Sequence, residues 1–507
     1  MPRRPSTSSW SPLLLHSAAC CSPAADPLLP SPSLNDDPTA AGTHRDHPSR
    51  SAAATLRSDL SIPSLRSLQV SSSPSSPPSS SSSAARHHLI SSLASHPRRS
   101  ASTSLTVSPT GELLYSASHS GIAVYDLASL RLLEAFRSVA AGAVKSLAFS
   151  SDGRVFTAHQ DAKIRAWTTP PPPAAVEEPS TSDQRAGRHR LVASLPTMGD
   201  RLLRIAIPSN YVAVRRHRKR LWIEHADAVA GLAARGGLLY SVSWDKTLKV
   251  WRAADLRCLQ SLPAHDDAVN AVAVGPDFTV YTGSADSRIR VWQQQPPDLD
   301  SRSHRRRYAL VATLEKHRSA VNALALSADG GVLCSGACDR SILVWEKGET
   351  AGQMTAAGAI RGHRQAIMCL AYAEDLLVSG STDRTVRVWR RTPGGEYCCL
   401  AVMEGHAGGV RSVAARRIAA PESAAEEYRV CSGSSDGEVR VWKVWVSSAD
   451  RRGDEGEIAR ESRDSSKNRR MREREATKLM SYLNNFHIQF YHIIIIEIMD
   501  RLFQKSP

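Results

Sequence analysis

Histidine, serine, aspartate and tryptophan recur through the middle of this sequence at near-constant spacing, and the first three are the residue types of a hydrolytic triad. The sets are His225, Ser243, Asp245 and Trp251; His265, Ser284, Asp286 and Trp292; His363, Ser381, Asp383 and Trp389; and His406, Ser434, Asp436 and Trp442. A triad occurs once in a fold, beside an oxyanion hole, whereas this trio returns at a fixed offset from tryptophan. Repetition therefore points to structural bonding. No Gly-rich phosphate loop with lysine, no H-E-x-x-H and no G-x-S-x-G is present, so no catalytic or cofactor-binding residue is assigned and enzymatic activity is not expected. The nine cysteines include no C-x-x-C pair and no zinc-like spacing to histidine, so no metal site is assigned. They read as reduced, buried small hydrophobes of an intracellular protein.

Basic clusters are the second chemistry on offer. Arg215, Arg216, His217, Arg218, Lys219 and Arg220 are consecutive; His304 to Arg307 form another group, and Arg469 and Arg470 a third. With 64 Lys and Arg against 49 Asp and Glu, the chain carries a formal charge of +15, which favours acidic partners. Such clusters contact phosphate or serve as import signals. Without interleaved aromatics, RNA or DNA binding through them would be nonspecific and strongly salt dependent. Solvated basic loops are the plainer reading.

The elements that position these residues repeat as a unit. Ser241 to Trp251 (SVSWDKTLKVW), Thr282 to Trp292 (TGSADSRIRVW), Ser335 to Trp345 (SGACDRSILVW), Ser379 to Trp389 (SGSTDRTVRVW) and Ser432 to Trp442 (SGSSDGEVRVW) align, with tryptophans 41, 53, 44 and 53 residues apart. The longer gaps hold loops at Gln293 to Arg307 and Ile418 to Glu427, and one unit amounts to about four short strands. Upstream of each, a histidine stands four residues before a β-branched residue: His225 and Val229, His265 and Val269, His317 and Val321, His363 and Ile367, His406 and Val410.

These residues resemble the WD40 repeat, with its Gly-His pair (Gly362-His363, Gly405-His406), its aspartate between the second and third strands and its tryptophan closing the third. The resemblance covers roughly residues 86 to 445. It implies a β-propeller in which the indole N–H meets a hydroxyl, the hydroxyl meets the imidazole and the imidazole meets the turn aspartate, leaving no buried polar group orphaned. The four sets above supply that tetrad; the unit ending at Trp345 has Ala337 at the serine position, so its chain is expected to be interrupted. Family binding surfaces lie where the loops before the first strand and between the second and third strands emerge. Carried over by position, this gives a partner-binding face of Asp227, Trp244, Asp267, Arg318, Arg364, Gln365 and Thr382, with Trp244 as an exposed anchor. A ubiquitin-ligase receptor usually shows W-D-x-R after the third strand, but here arginine, glutamine, glutamate, arginine and lysine follow the five tryptophans, and that reading is disfavoured.

Two earlier units are weaker: Val144 to Trp167 has His159 where serine is expected, and Leu105 to Tyr125 places His119 and Tyr125 at the aspartate and tryptophan positions. Leu202 to His225 holds three strand-like pieces but lacks the aspartate turn and room for four strands. It is either a shortened blade or an insertion, so the count is eight or seven, and seven is favoured. His88 to Leu93 resembles the outer-strand segment Leu310 to Leu314, so the first strand is expected to complete the last blade and close the ring. Pro208 to Val229, followed by LLYSVSWDKTLKVW, also resembles a group of plant WD40 proteins typified by JINGUBANG.

The 507 residues thus divide into a Ser/Pro-rich leader (1–85), expected to be disordered, an all-β WD40 propeller (86–445) and a charged tail (446–507) that is partly helical, disordered or an accidental coding extension. Ser-Pro steps at Ser11, Ser22, Ser31, Ser73 and Ser76 are open to phosphorylation. The acid-free first 25 residues leave a chloroplast transit peptide as a minor reading beside cytoplasm or nucleus. No apolar run reaches the length of a membrane span, the richest being broken at His487, Gln489, His492 and Glu497. The expected role is a noncatalytic scaffold without cofactors, a monomer within a protein complex; nonspecific nucleic-acid binding is the alternative.

Overall fold

The computed structural model describes residues 65–68, 85–94, 100–137, 142–169, 188–215, 218–295, 307–348, 352–418 and 425–447. The expectations for the phosphorylatable Ser-Pro steps, the tail beyond residue 447, Arg216 and His217, His304 to Arg306 and Arg469–Arg470 fall outside them. Two units separate: residues 1–77, 84–418 and 427–444 hold the blades, while the other (78–83, 419–426 and 445–507) is described only at 425–426 and 445–447.

Seven four-stranded antiparallel sheets follow one another at 102–136, 144–195, 229–263, 269–315, 321–360, 367–403 and 410–447, here blades 1 to 7. Blade 7 has three strands of its own, and Arg86–Ala94 is its fourth, outermost strand. The first strands of the blades touch in sequence around the ring, with Val410–Ile418 of blade 7 returning to Ser102–Val107 of blade 1. A sheet this small cannot bury both its own faces, so each blade depends on its neighbours. The burial pattern shows it. The second strand of blade 5, Val332–Ala337, is buried at every residue, whereas the outer strand of blade 1, Leu132–Phe136, is mostly exposed. Inter-blade spacing is set partly by glycine: a Cβ on Gly336 would collide with Ile367, on the first strand of blade 6.

The segment Leu202 to His225 is an insertion. Its first strand-like piece is a helix, α1 (Met198–Ile205), and the rest forms a hairpin of Tyr211–Arg215 with Arg218–Leu221, between blades 2 and 3. Thr197 caps α1 by accepting from the Asp200 amide at 3.2 Å, which starts the helix where a strand had been expected. Leu221 and Ile223 anchor the insertion in the core shared by blades 2 and 3, while Leu202, Leu203 and Ile205 stay exposed.

Part of the leader is packed. Leu68 is buried against blades 5 and 6, so the expectation of disorder through residue 85 fails at Leu65–Leu68. The physical reason is local: Leu65 and Leu68 supply the apolar area that the surrounding Ser/Pro sequence lacks.

Candidate functional site

The tetrads are built as follows in blade 6. Trp389 Nε1–H donates to Ser379 Oγ at 2.8 Å, and Ser379 Oγ lies 2.8 Å from His363 Nε2. His363 Nδ1 is 2.9 Å from Asp383 Oδ2, which also accepts the Arg364 amide at 2.9 Å. The other oxygen, Oδ1, accepts the Thr385 amide at 3.0 Å. A carboxylate only accepts, so the proton sits on Nδ1 and the hydroxyl donates to Nε2: the imidazole is neutral. The same bonds join Trp251, Ser241, His225 and Asp245; Trp292, Thr282, His265 and Asp286; and Trp442, Ser432, His406 and Asp436.

The hydroxyl is not the one expected. Ser243, Ser284, Ser381 and Ser434 lie two residues too late, and Ser241, Thr282, Ser379 and Ser432 do the work. Register explains it. Trp251 pairs with Leu239, so Ser241 is one diagonal step away and Ser243 two, roughly 13 Å along the strand and beyond the indole's reach. The later serines serve the loops instead: Ser243, Ser284 and Ser381 donate to the carbonyls of Asp227, Asp267 and Gln365, and Ser434 accepts the Asp436 amide. For the same reason Ala337 interrupts nothing. In blade 5, Trp345 donates to Ser335, which meets His317 at 2.8 Å, and His317 meets Asp339 at 2.9 Å.

Blade 2 reaches a similar network by another route. Trp167 donates to Thr157, which contacts His159 Nε2 at 2.7 Å; His159 sits on the same strand and its Nδ1 lies 3.3 Å from the Gly142 carbonyl. Asp161 is left to pair with Arg165 at 2.6 Å. In blade 1 Tyr125 offers no indole N–H, and the equivalent Ser116 hydroxyl is buried with no partner among the described residues.

Electrostatics agree with neutral rings. Burial, outweighing the adjacent carboxylates, holds His225, His265, His363 and His406 below the usual imidazole range, and burial with the Arg165 charge pushes His159 down to about 4. Burial pushes the turn carboxyls up, but the imidazoles and N–H donors win, so Asp245, Asp286, Asp339, Asp383 and Asp436 all lie low. A trio with its nucleophile, base and acid committed to internal bonds has nothing left for substrate.

What the tetrads present to solvent is the loop ends. In blades 3 to 7 the turn after the second strand is stitched to the loop before the first by one backbone bond, such as Trp244 N–H to Ala228 O at 3.0 Å and Thr382 N–H to Ala366 O at 3.0 Å. Of the seven face residues expected from sequence, Asp227, Asp267, Arg318, Arg364 and Gln365 are exposed at these loops. Thr382 is half-buried, its hydroxyl donating to Ala366 O. Trp244 is also half-buried. The Lys145 ammonium lies 5.1 Å from its ring centroid, so the indole is a wall with one side occupied rather than a free anchor.

Sequence reasoning missed the arginines that complete this end. Arg340 and Arg384 follow the turn aspartates of blades 5 and 6, and Arg411 is the second residue of the first strand of blade 7. With Arg318 and Arg364 they make five guanidinium groups that pair with no carboxylate among the described residues, while blades 3 and 4 present Asp227 and Asp267. Arg340 and Arg384 hold φ of 69°, a left-handed conformation that glycine adopts more easily, as Gly437 does in blade 7. The Arg411 charge reaches Lys145: burial first, then Arg411, lowers the pKa of that ammonium. The signal was the identity of the residue after each turn aspartate, a position treated only as part of a turn. Among the described residues no cluster of side chains fit to hold a metal ion is found, and seven cysteines there are free thiols.

Six stretches match the model of the WD domain, G-beta repeat: residues 135–168, 218–252, 256–293, 308–346, 355–390 and 397–443. Blade 1 lies largely outside them, in keeping with its missing tryptophan and turn aspartate. The chain is 29% identical over 244 residues to a ribosome biogenesis protein WDR12 homolog of Chlamydomonas reinhardtii, covering 43% of this chain and 52% of that one. It is 29% identical over 185 residues to the DENN domain and WD repeat-containing protein SCD1 of Arabidopsis thaliana (36% and 13%), and 29% over 161 residues to the small ribosomal subunit protein RACK1 of Drosophila melanogaster (30% and 46%). The chain thus spans about half the length of these relatives or less, and none of the three names is that of an enzyme.

Proposed function

This chain is a WD40-repeat β-propeller, and from that premise we propose that it is a noncatalytic scaffold which holds an acidic segment of a partner protein across the loop ends of blades 5 to 7. The observation that carries the reading is the set of five arginines, Arg318, Arg340, Arg364, Arg384 and Arg411, whose guanidinium groups pair with no carboxylate among the described residues. An unpaired cationic face steers association and selects partners by sign. Beside it Lys145 and Arg411, like charges that sense one another, favour an anionic group such as a carboxylate cluster or a phosphorylated side chain. Asp227 and Asp267 at blades 3 and 4 give the same end a second sign, which fixes the direction in which the segment lies. Resemblance to the JINGUBANG group, carried by Pro208 to Val229, fits a regulatory scaffold working in cytoplasm or nucleus.

The test is affinity capture from cell extract with the intact protein and an Arg318→Glu, Arg364→Glu, Arg384→Glu variant. The variant is expected to melt within a few degrees of the intact chain yet lose its specific partners, with capture by the intact chain weakening as salt rises. An unchanged partner set would remove the face assignment. Loss of bound material on nuclease treatment would instead support nucleic-acid binding through the basic hairpin, where Lys219 is exposed.

A further inference from the structure

Three residues of the leader behave as a bound peptide. Leu68 N–H donates to Ala359 O at 3.0 Å, Ala359 N–H donates to Arg66 O at 3.1 Å, and Ser67 pairs with Ala359 in parallel. Ala359 belongs to Met354–Ile360, the outer strand of blade 5, so the leader forms a single parallel bridge along the edge of that sheet. On the other side Tyr397 N–H, at the start of the outer strand of blade 6, donates to Leu68 O at 2.6 Å. The backbone is therefore gripped from both blades.

The seat for the side chain is built into the ring. Leu68 is 1% exposed and enters the core with Ile360, Ile367, Leu377, Trp389 and Tyr397. Room for it exists because residue 358 is glycine: a Cβ there would lie 2.5 Å from Leu68 Cγ. Leu65, three residues earlier, packs against the blade 5 core, while Arg66 and Ser67 between them are exposed. Recognition thus uses an extended backbone and two leucines three apart, with little demand on the residues between.

The tether is long. Seventeen residues separate Leu68 from Arg86, where blade 7 takes up the chain, and thirteen of them are the Ser/Pro tract 71–83. Only one blade lies between the two points, and seventeen residues can span up to roughly 55 Å when extended. We propose that the groove between the outer strands of blades 5 and 6 is a peptide-docking site, that Leu65–Leu68 is its tethered occupant, and that an extended Leu-x-x-Leu segment of another protein displaces it. This site is separate from the arginine face and does not depend on it. A leash of this kind presents the occupant at an effective concentration on the order of 1 mM, which a partner must out-compete.

The probe is a fluorescent synthetic peptide of residues 61–72, added to the full-length chain. Intact protein should bind it weakly, because the leash holds the groove. A Leu65→Ser, Leu68→Ser variant should bind it at least about tenfold more tightly, and adding Gly358→Val to that variant should abolish the gain, as should serine at both leucines of the peptide. Equal binding by the intact and opened proteins, or indifference to Gly358→Val, would overturn the proposal. Should the opened variant melt early, a protease site placed within 71–83 of the otherwise intact chain serves instead. After cleavage the leader should exchange with the labelled peptide on dilution; a cut leader that never exchanges would show a permanent structural clasp and overturn it equally.

Discussion

At the scale of single residues, one hydroxyl decides how a tryptophan and a histidine can both be buried. Ser379 accepts from Trp389 and sits against His363, so removing it orphans a donor and an acceptor together. Ser381 is equally buried, but the groups it serves, the Gln365 carbonyl and the Asp383 amide, belong to an exposed and a half-buried loop residue. Ser379→Ala should therefore cost about 2–4 kcal/mol in urea unfolding and Ser381→Ala roughly 1 kcal/mol, from the penalty for unsatisfied buried groups. Equal costs would return the tetrad to the serines first expected. Both serines were in view in the sequence, as was the decisive regularity: a Ser or Thr stands ten residues before each of Trp167, Trp251, Trp292, Trp345, Trp389 and Trp442. Choosing between them needs the strand register, which spacing alone does not supply.

Elements tell a similar story of patterns legible to different depths. Strands, turns and ring closure by Arg86–Ala94 follow from period and turn chemistry, because each blade repeats the same local rules. The helix Met198–Ile205 was less legible, since LLRIAI reads as strand until the Thr197 cap is recognised upstream of it. Leu68 was hidden for the opposite reason: two packed leucines inside a Ser/Pro leader show no period at all. Between blades, contact is set by residue size. Gly336→Val should overpack against Ile367 and destabilise the ring by about 1–3 kcal/mol, lowering the melting temperature; an unshifted melt would show that the blades have slack the structure does not display.

Taken as a whole, the molecule gathers imidazoles in its blades and leaves arginines at their loop ends, so acid should damage the fold before it damages the charge of the face. The folded pKa of His159 is about 4 against about 6.5 unfolded, so below pH 6.5 the unfolded chain takes up a proton that the folded one refuses. That stability is complete above pH 6.5 and declines as pH falls toward 4, by about 2 kcal/mol at pH 5 for this residue, with the four lowered tetrad histidines adding in the same direction. Melting temperatures recorded from pH 8 to 5 should fall monotonically below about 6.5. The sharpest observation is of the rings themselves, by nitrogen NMR on protein with labelled histidine side chains. His225, His265, His363 and His406 should stay neutral with the proton on Nδ1 from pH 8 down to 6; any of the four titrating near 6.5, or carrying its proton on Nε2, would contradict the sealed network on which the whole account stands.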